Sequence, residues 1–474
     1  MSSIITIIGN DGSYDVNSML ESLKHRGPDA SSINTYRLGE ANITVADNLL
    51  KLDDEVQHIY RDKLGLTVNA DLYNKEELID KYQLTKLEND SSCEVIYNII
   101  KHYYDEGFTL TESVKKFSDE LDGDYVLCAF DESDYIILRD RMGVKPLYYT
   151  RMGDDVVFAS EKKALDSGAT SLNPRYAYAD NKLIRMYDDY DRCEVFEDYD
   201  VLKHKLKGAL FESVEKRVKN LDRVSLLFSA GVDSSLIAMI LKRLEVDVTL
   251  YTVGVENSQD LEYAKKLSQD IDLPLRKRVI TQGDVEKSFY TVANTIEDDN
   301  LMKIGVAMTI YLTTKLARQD NQKIILTGQA ADELFGGYNR YKKYHENSEE
   351  LQKQLTEDLN NMYHVNLERD DKACMKNSIQ LRAPYLDQKV INIATQIPLK
   401  YLIHSSEDNI RKHILRDVAK DVGLPEYITQ RPKKAAQYAT GIDKIIRKKL
   451  IKKQAYHDYI TQSLQKNNKN KRQK

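Results

Sequence analysis

The stretch VSLLFSAGVDSSLIAMI gathers Ser229, Gly231, Asp233, Ser234 and Ser235 into seven residues, between an apolar strand pattern and an apolar helix pattern. The backbone N–H groups of such a turn, with the helix N-terminus behind them, form an anion cradle that the helix dipole favours. The serine hydroxyls add donors. Asp233 would repel a phosphate unless a cation lay between them, and a Mg2+ held by its carboxylate would bridge the two. The loop lacks the G-K-[ST] of a Walker loop, so it supplies no lysine of its own. A tight turn with an Asp or Ser helix cap is the competing reading, and it accounts for Asp233 or a single serine. A second candidate stands at the start, in MSSIITIIGN. With Met1 trimmed, Ser2 would carry a free α-amine able to act as base for its own hydroxyl. Ser2 is equally readable as the first residue of a buried strand.

These residues need elements to position them. The first ~165 residues read as short strands, among them SIITIIG, LGLTVNADLY, GDYVLCAF, DYIILRD, PLYYTR and DDVVFAS. They are interrupted by SSCEVIYNIIKHYYDEG, whose Val95, Ile96, Ile99, Ile100 and Tyr103 fall on helical spacing. This half, 1–165, is strand-dominated α+β. Residues 166–199 are polar and rich in Asp, Tyr and Arg, and read as a connection between domains. Over 200–455, helices alternate with the apolar strands VSLLFS, VTLYTVG, LRKRVI and KIILTG, which implies a doubly wound parallel sheet followed by a mainly helical region. Such sheets bind ligands at the carboxyl ends of their strands, where the Asp233 loop falls. Residues 456–474 form a basic, polar tail that reads as a solvated end.

Composition narrows the class. The chain has 474 residues, enough for two or three domains, and its balance of 69 basic against 75 acidic residues gives −6, which argues against a nucleic-acid partner. No apolar run has the length of a membrane helix, and no secretory pattern opens the chain. Four scattered cysteines show no C-x-x-C spacing. A cytoplasmic enzyme is the default expectation.

S-A-G-V-D-S-S resembles the S-G-G-x-D-S pyrophosphate loop of enzymes that cleave ATP between the α- and β-phosphates. LTGQAADELFGGYNRY, IQLRAPYLD and ITQRPKKAAQYATG resemble successive landmarks of the asparagine synthetase family. HRGPDASS, LTVNADLYNKEEL, SSCEVI, RDRMGVKPLYY and FASEKKAL are similar, in order, to that family's N-terminal glutaminase domain. The matches run from Ile4 to Gly441. The resemblance implies an Ntn-hydrolase-like sandwich joined to an ATP-pyrophosphatase-like α/β domain. It also implies ATP and Mg2+ as cofactors, aspartate and ammonia or glutamine as substrates, and allows a homodimer. Residue by residue, it implies Asp233 and Asp332 on the metal, and Ser229, Gly231, Ser234 and Ser235 around the pyrophosphate. Val253 and Gly328 match backbone positions at adenine, and Lys433 matches a lysine that neutralises phosphate charge. Arg382 and Asp387 in RAPYLD read as structural, holding the helical region against the sheet.

Departures from the family pattern carry as much information. Gln329 stands where the second loop has a catalytic glutamate, and a glutamine cannot accept a proton from an attacking ammonium. Ala330 replaces the glycine after it, which matters only if the backbone there has positive φ. In the glutaminase half Ser2 replaces the nucleophilic cysteine, Ala70 replaces the glycine after Asn69, and Asp71 replaces a glutamate. Ser92 replaces the aspartate that grips the glutamine α-amino group. These losses imply a retired glutaminase. The expectation is therefore an AMP-forming ligase that amidates aspartate with free ammonia. Two alternatives stay open: a relative that acts on another carboxylate to close a β-lactam or peptide ring, and a regulatory pseudo-synthetase that only binds nucleotide.

Overall fold

In SIITIIG both faces of the strand are apolar, and both are buried in the computed structural model. Residues 2–452 and 458 are described, apart from 11–13, 53–55, 166–167, 196 and 433–435. They form two compact units, one of residues 1–189 with Tyr363–Ser378, the other of Tyr190–Met362 with the chain from Ile379 onward.

The first unit holds two six-stranded sheets. One runs Thr170–Ser171, Tyr148–Met152, Asp155–Ala159, Ser3–Gly9, Ala41–Leu49, Ala30–Leu38. The other runs Lys182–Arg185, Tyr176–Ala179, Tyr135–Arg139, Gly123–Phe130, Leu64–Leu72, His58–Arg61. The period-2 alternation of strands sorts their side chains into layers. Ile4 and Ile8 of the first strand meet Val126, Cys128 and Phe130 of the other sheet, and this is the seam between the sheets. Ile5 and Ile7 point the other way, onto Leu20 and Leu23. Leu66, Val68, Leu127 and Ala129 turn outward from the second sheet onto Val95, Ile96, Ile99, Val114 and Phe117. The result is helix, sheet, sheet, helix: an Ntn-hydrolase-like α+β sandwich. The helix expected from its apolar spacing spans Ser92–Asp105, and Ser91 caps it by accepting the Glu94 N–H at 3.1 Å.

The expected connection at 166–199 needs correcting. Thr170–Ser171, Tyr176–Ala179 and Lys182–Arg185 are strands of these two sheets, so that stretch is largely part of the sandwich. Their short length hid them in a polar sequence. Tyr363–Ser378 was equally unannounced.

The second unit is built on five strands, all parallel, in the order Leu275–Val279, Val248–Gly254, Val224–Leu227, Ile324–Leu326, Gln380–Arg382. The chain starts in the middle, winds to one edge, then returns to the other side. The reversal lies between Val224–Leu227 and Ile324–Leu326, and such a reversal opens a crevice at the carboxyl ends of the two strands. Helices Tyr199–Val218, Val232–Arg243, Gln259–Asp270 and Leu301–Gln319 accompany the sheet, and the later chain is mainly helical. No helix among the described residues is long and apolar enough to cross a membrane.

Candidate active site

The Asp233 loop begins where the central strand runs out. Phe228 N–H donates to Tyr251 O at 2.8 Å, the last ladder-like bond, and the chain then turns through Ala230 at φ +53° into helix Val232–Arg243. Ser229 Oγ accepts the Gly231 N–H at 3.3 Å, and Ser234 Oγ accepts the Ser229 N–H at 3.3 Å. Two of the serines therefore shape the loop. Ser235 Oγ is buried and makes no hydrogen bond. Helix capping does not explain Asp233, because the cap residue is Gly231 and no side chain caps there.

The Asp233 carboxylate instead faces the loop that follows Ile324–Leu326. A Cβ on Gly328 would lie 3.0 Å from Asp233 Cβ and 3.2 Å from Ser234 N, so this loop lies against the start of the helix. Ala330 sits at φ +78° and leads into the turn of helix Ala331–Leu334 that carries Asp332. Lys412 joins the two acids: its Nζ is 2.7 Å from Asp233 Oδ1 and 2.5 Å from Asp332 Oδ1, with the lysine side chain fully buried. A Cβ on Gly337 would come within 1.9 Å of Asp332 Oδ1 and 2.2 Å of Lys412 Cε, so only glycine fits there. Around them, Tyr385 Oη donates to Asp233 O at 3.1 Å. Arg431 donates to Ala230 O at 2.9 Å and Ser229 O at 3.3 Å while pairing with Asp260 at 2.8 Å.

Among the sequence-selected residues, Ser229, Gly231, Asp233, Ser234, Ser235, Gly328, Gln329 and Asp332 lie on these two loops. Gln329 is half-buried. Val253 is buried near the end of the neighbouring strand Val248–Gly254. Lys433 falls outside the described residues. Arg382 and Asp387 make framework contacts: Arg382 donates to Arg217 O, and Asp387 pairs with Arg217 at 2.9 Å and Lys216 at 2.6 Å. Sequence reasoning missed Lys412 and Arg431. Arg431 was within reach, two residues before the lysine in ITQRPKK, whereas nothing in RKHILR marks Lys412 as buried between two carboxylates.

The donor set suits Mg2+. Such an ion commonly takes one or two carboxylates and completes its shell with phosphate oxygens and water. Asp233 and Asp332 provide that pair, and no group of three or more His, Cys, Asp or Glu among the described residues offers a self-sufficient cage. Glu333, beside Asp332, is buried and accepts the Tyr338 hydroxyl at 2.6 Å. Burial, reinforced by the charge of Asp332, pushes its carboxyl up to about 7.

In the sandwich, Asn69 is brought to Ser2. Asn69 brackets the Ser2 backbone, Oδ1 accepting from its N at 3.3 Å and Nδ2 donating to its O at 3.0 Å. Ser2 is fully buried, and its Oγ accepts the Leu50 N–H at 3.1 Å. Ala70 follows on the same strand, Leu64–Leu72. Asp71 is paired with buried Lys145 at 2.5 Å. Ser92 opens helix Ser92–Asp105, and its Oγ accepts the Leu72 N–H at 3.4 Å.

The family model described as asparagine synthase matches residues 205–353 and 343–473, and the one described as glutamine amidotransferase domain matches 1–195. The putative asparagine synthetase [glutamine-hydrolyzing] 1 of Methanocaldococcus jannaschii is 37% identical, with 94% of this chain and 95% of that protein covered. The probable asparagine synthetase [glutamine-hydrolyzing] of Acanthamoeba polyphaga mimivirus is 26% identical over 95% of this chain and 86% of its own. A solved glutamine phosphoribosylpyrophosphate amidotransferase from B. subtilis shares 18% identity at a TM-score of 0.35, covering 69% of this chain and 81% of that one.

Proposed function

We propose, from the premise that this chain belongs to the asparagine synthetase family, that it adenylates the aspartate β-carboxylate with ATP and amidates it with free ammonia. The observation that supports this most is the meeting of Asp233 and Asp332 across the reversal of the parallel sheet, with glycine at Gly337, where a Cβ would collide, and at Gly328, where it would crowd the helix start. In this reading the β-carboxylate oxygen attacks the α-phosphorus of ATP and pyrophosphate leaves. Ammonia then attacks the acyl carbon of the mixed anhydride and AMP leaves with the bonding electrons. The loop from Ser229 to Ser235 receives the pyrophosphate, using backbone N–H groups and the unengaged Ser235 hydroxyl. Arg431 fixes that loop by the carbonyls of Ser229 and Ala230. Asp233 and Asp332 would hold Mg2+, which supplies charge neutralisation at the phosphates when bound. Lys433 would place positive charge on the same phosphates. Gln329 can orient a nucleophile by hydrogen bonding but cannot take its proton, so the proton leaves to solvent or to a phosphate oxygen.

Free ammonia as the donor is supported by the sandwich. Ser2 in place of a thiol is a weaker nucleophile, and Ser92 offers no charge for an α-ammonium group. Cytoplasmic location and a homodimer belong to this reading as expectations. The test is pyrophosphate release by purified protein with ATP, Mg2+ and L-aspartate, comparing ammonium with glutamine. Turnover is expected with ammonium, absent with glutamine, and abolished by Asp233→Ala. Equal turnover with glutamine overturns the ammonia assignment. Loss of aspartate dependence points to another acid, such as one that cyclises, and no release at all points to a nucleotide-binding pseudo-synthetase.

A further inference from the structure

Lys412 belongs to no motif the sequence offers, yet the fold goes to some length to place it. It and Arg411 are consecutive non-glycine residues in the left-handed region, at φ +57° and +53°. Residues held there are strained and persist only where surrounding contacts over-determine them. Here those contacts are explicit. The Asp408 carboxylate accepts the N–H groups of His404, Ile410 and Arg411, each at 2.9 Å. Arg411 Nε donates to Gly337 O at 3.0 Å, and Arg416 Nε donates to Arg411 O at 2.7 Å. The strained segment delivers one buried ammonium to the midpoint between Asp233 and Asp332.

We infer that Lys412 is a built-in counter-cation: it occupies the space between Asp233 and Asp332 in the nucleotide-free protein, so that a divalent ion binds only together with the nucleotide. The inference rests on the reading of this crevice as the Mg2+–ATP site. Without a cation the two carboxylates would repel each other and hold their loops apart. With the ammonium in place they are already neutralised in part, and a bare divalent ion has to expel a buried, doubly paired charge. Arriving phosphates change the balance, because their oxygens take over the lysine as the metal takes over the carboxylates. Lys412 is thus a positioning residue, keeping the metal site assembled and closed to ions arriving alone.

Mn2+, standing in for Mg2+, provides the probe, read by electron paramagnetic resonance and calorimetry on the full-length protein. The wild type without nucleotide is expected to show no Mn2+ site that depends on Asp233, and to gain one when ATP is added. Lys412→Met, and Lys412→Gln should Met fail to fold, is expected to bind one Mn2+ per chain without nucleotide at least roughly tenfold tighter than wild type. Adding Asp233→Asn should remove that gain. A lysine serving only packing would leave Mn2+ affinity unmoved, so a folded variant without the gain overturns the inference. An Asp233-dependent Mn2+ site in the nucleotide-free wild type does so as well. Failure of ATP to bind the wild type would instead overturn the nucleotide-site reading, while the nucleotide-free Mn2+ comparison still decides the role of Lys412.

Discussion

Glu333 holds its proton because of where it sits. Burial and the adjacent Asp332 raise its carboxyl from 4.5 to about 7. Between those values the unfolded chain has released the proton and the folded chain keeps it, so rising pH favours unfolding. The stabilisation is fully present below 4.5 and is lost as pH rises through about 7. Glu333→Gln mimics the protonated form and keeps the acceptor for the Tyr338 hydroxyl. The variant is expected to lose less thermal stability than wild type between pH 5 and pH 8, measured by paired melts. An equal loss in the two proteins would place the pH dependence elsewhere. Two alanines near this residue carry a different cost. Ala230 and Ala330 both lie at positive φ, at +53° and +78°, in positions where the family pattern has glycine. The condition under which Ala330 would matter is therefore met, and each methyl imposes a strain of about 1–2 kcal/mol that glycine would not.

Among the elements, Tyr363–Ser378 is one whose placement the sequence concealed. Buried charge helps join it to the sandwich. Glu368 pairs with Arg139 at 3.3 Å and accepts from the hydroxyls of Tyr148 and Ser171 at 2.5 Å, and Asp371 pairs with fully buried Arg26 at 2.6 Å. Removing one partner of a buried ion pair leaves the other uncompensated and costs about 3–5 kcal/mol. Glu368→Ala is expected to destabilise the sandwich by that amount in urea unfolding, and Glu368→Gln by less, since it keeps an acceptor for the two hydroxyls. Equal losses would mean that packing, not charge, holds the segment. Other elements were legible for a plain reason. SIITIIG, LGLTVNADLY and VTLYTVG carry long apolar patterns, so period alone locates them. The three short strands between Thr170 and Arg185 are too short and polar to show a period, and their place is given by the neighbouring strands of the two sheets. Lys412 was illegible for a related reason. A lysine in RKHILR reads as exposed, and only tertiary structure brings two carboxylates to it.

At the scale of the whole molecule, one chain carries a sandwich that holds Ser2 against Asn69 and a parallel sheet whose two loops share a buried cation. The order of motifs made that division readable, and Asn69 holds the Ser2 backbone, while Asp71 pairs with Lys145 and Ser92 accepts the Leu72 N–H. If a missing thiol were the sandwich's sole defect, Ser2→Cys would restore glutamine as nitrogen donor. Its surroundings argue otherwise. The Ser2 side chain is buried, with Oγ engaged by the Leu50 N–H, and the Asp71 carboxylate is neutralised by Lys145. Ser92 gives no charge to a substrate ammonium, and Ala70 adds a methyl where the family has none. Ser2→Cys is therefore expected to release no glutamate from glutamine. Ser2→Ala should keep ammonium-dependent pyrophosphate release within roughly twofold of wild type, since a group that makes no transition-state contact changes neither kcat nor KM. Glutamate release by the cysteine variant would mean that only the nucleophile had been lost. A large fall in the ammonium reaction of the alanine variant would mean that the sandwich still serves the synthetase chemistry through Ser2.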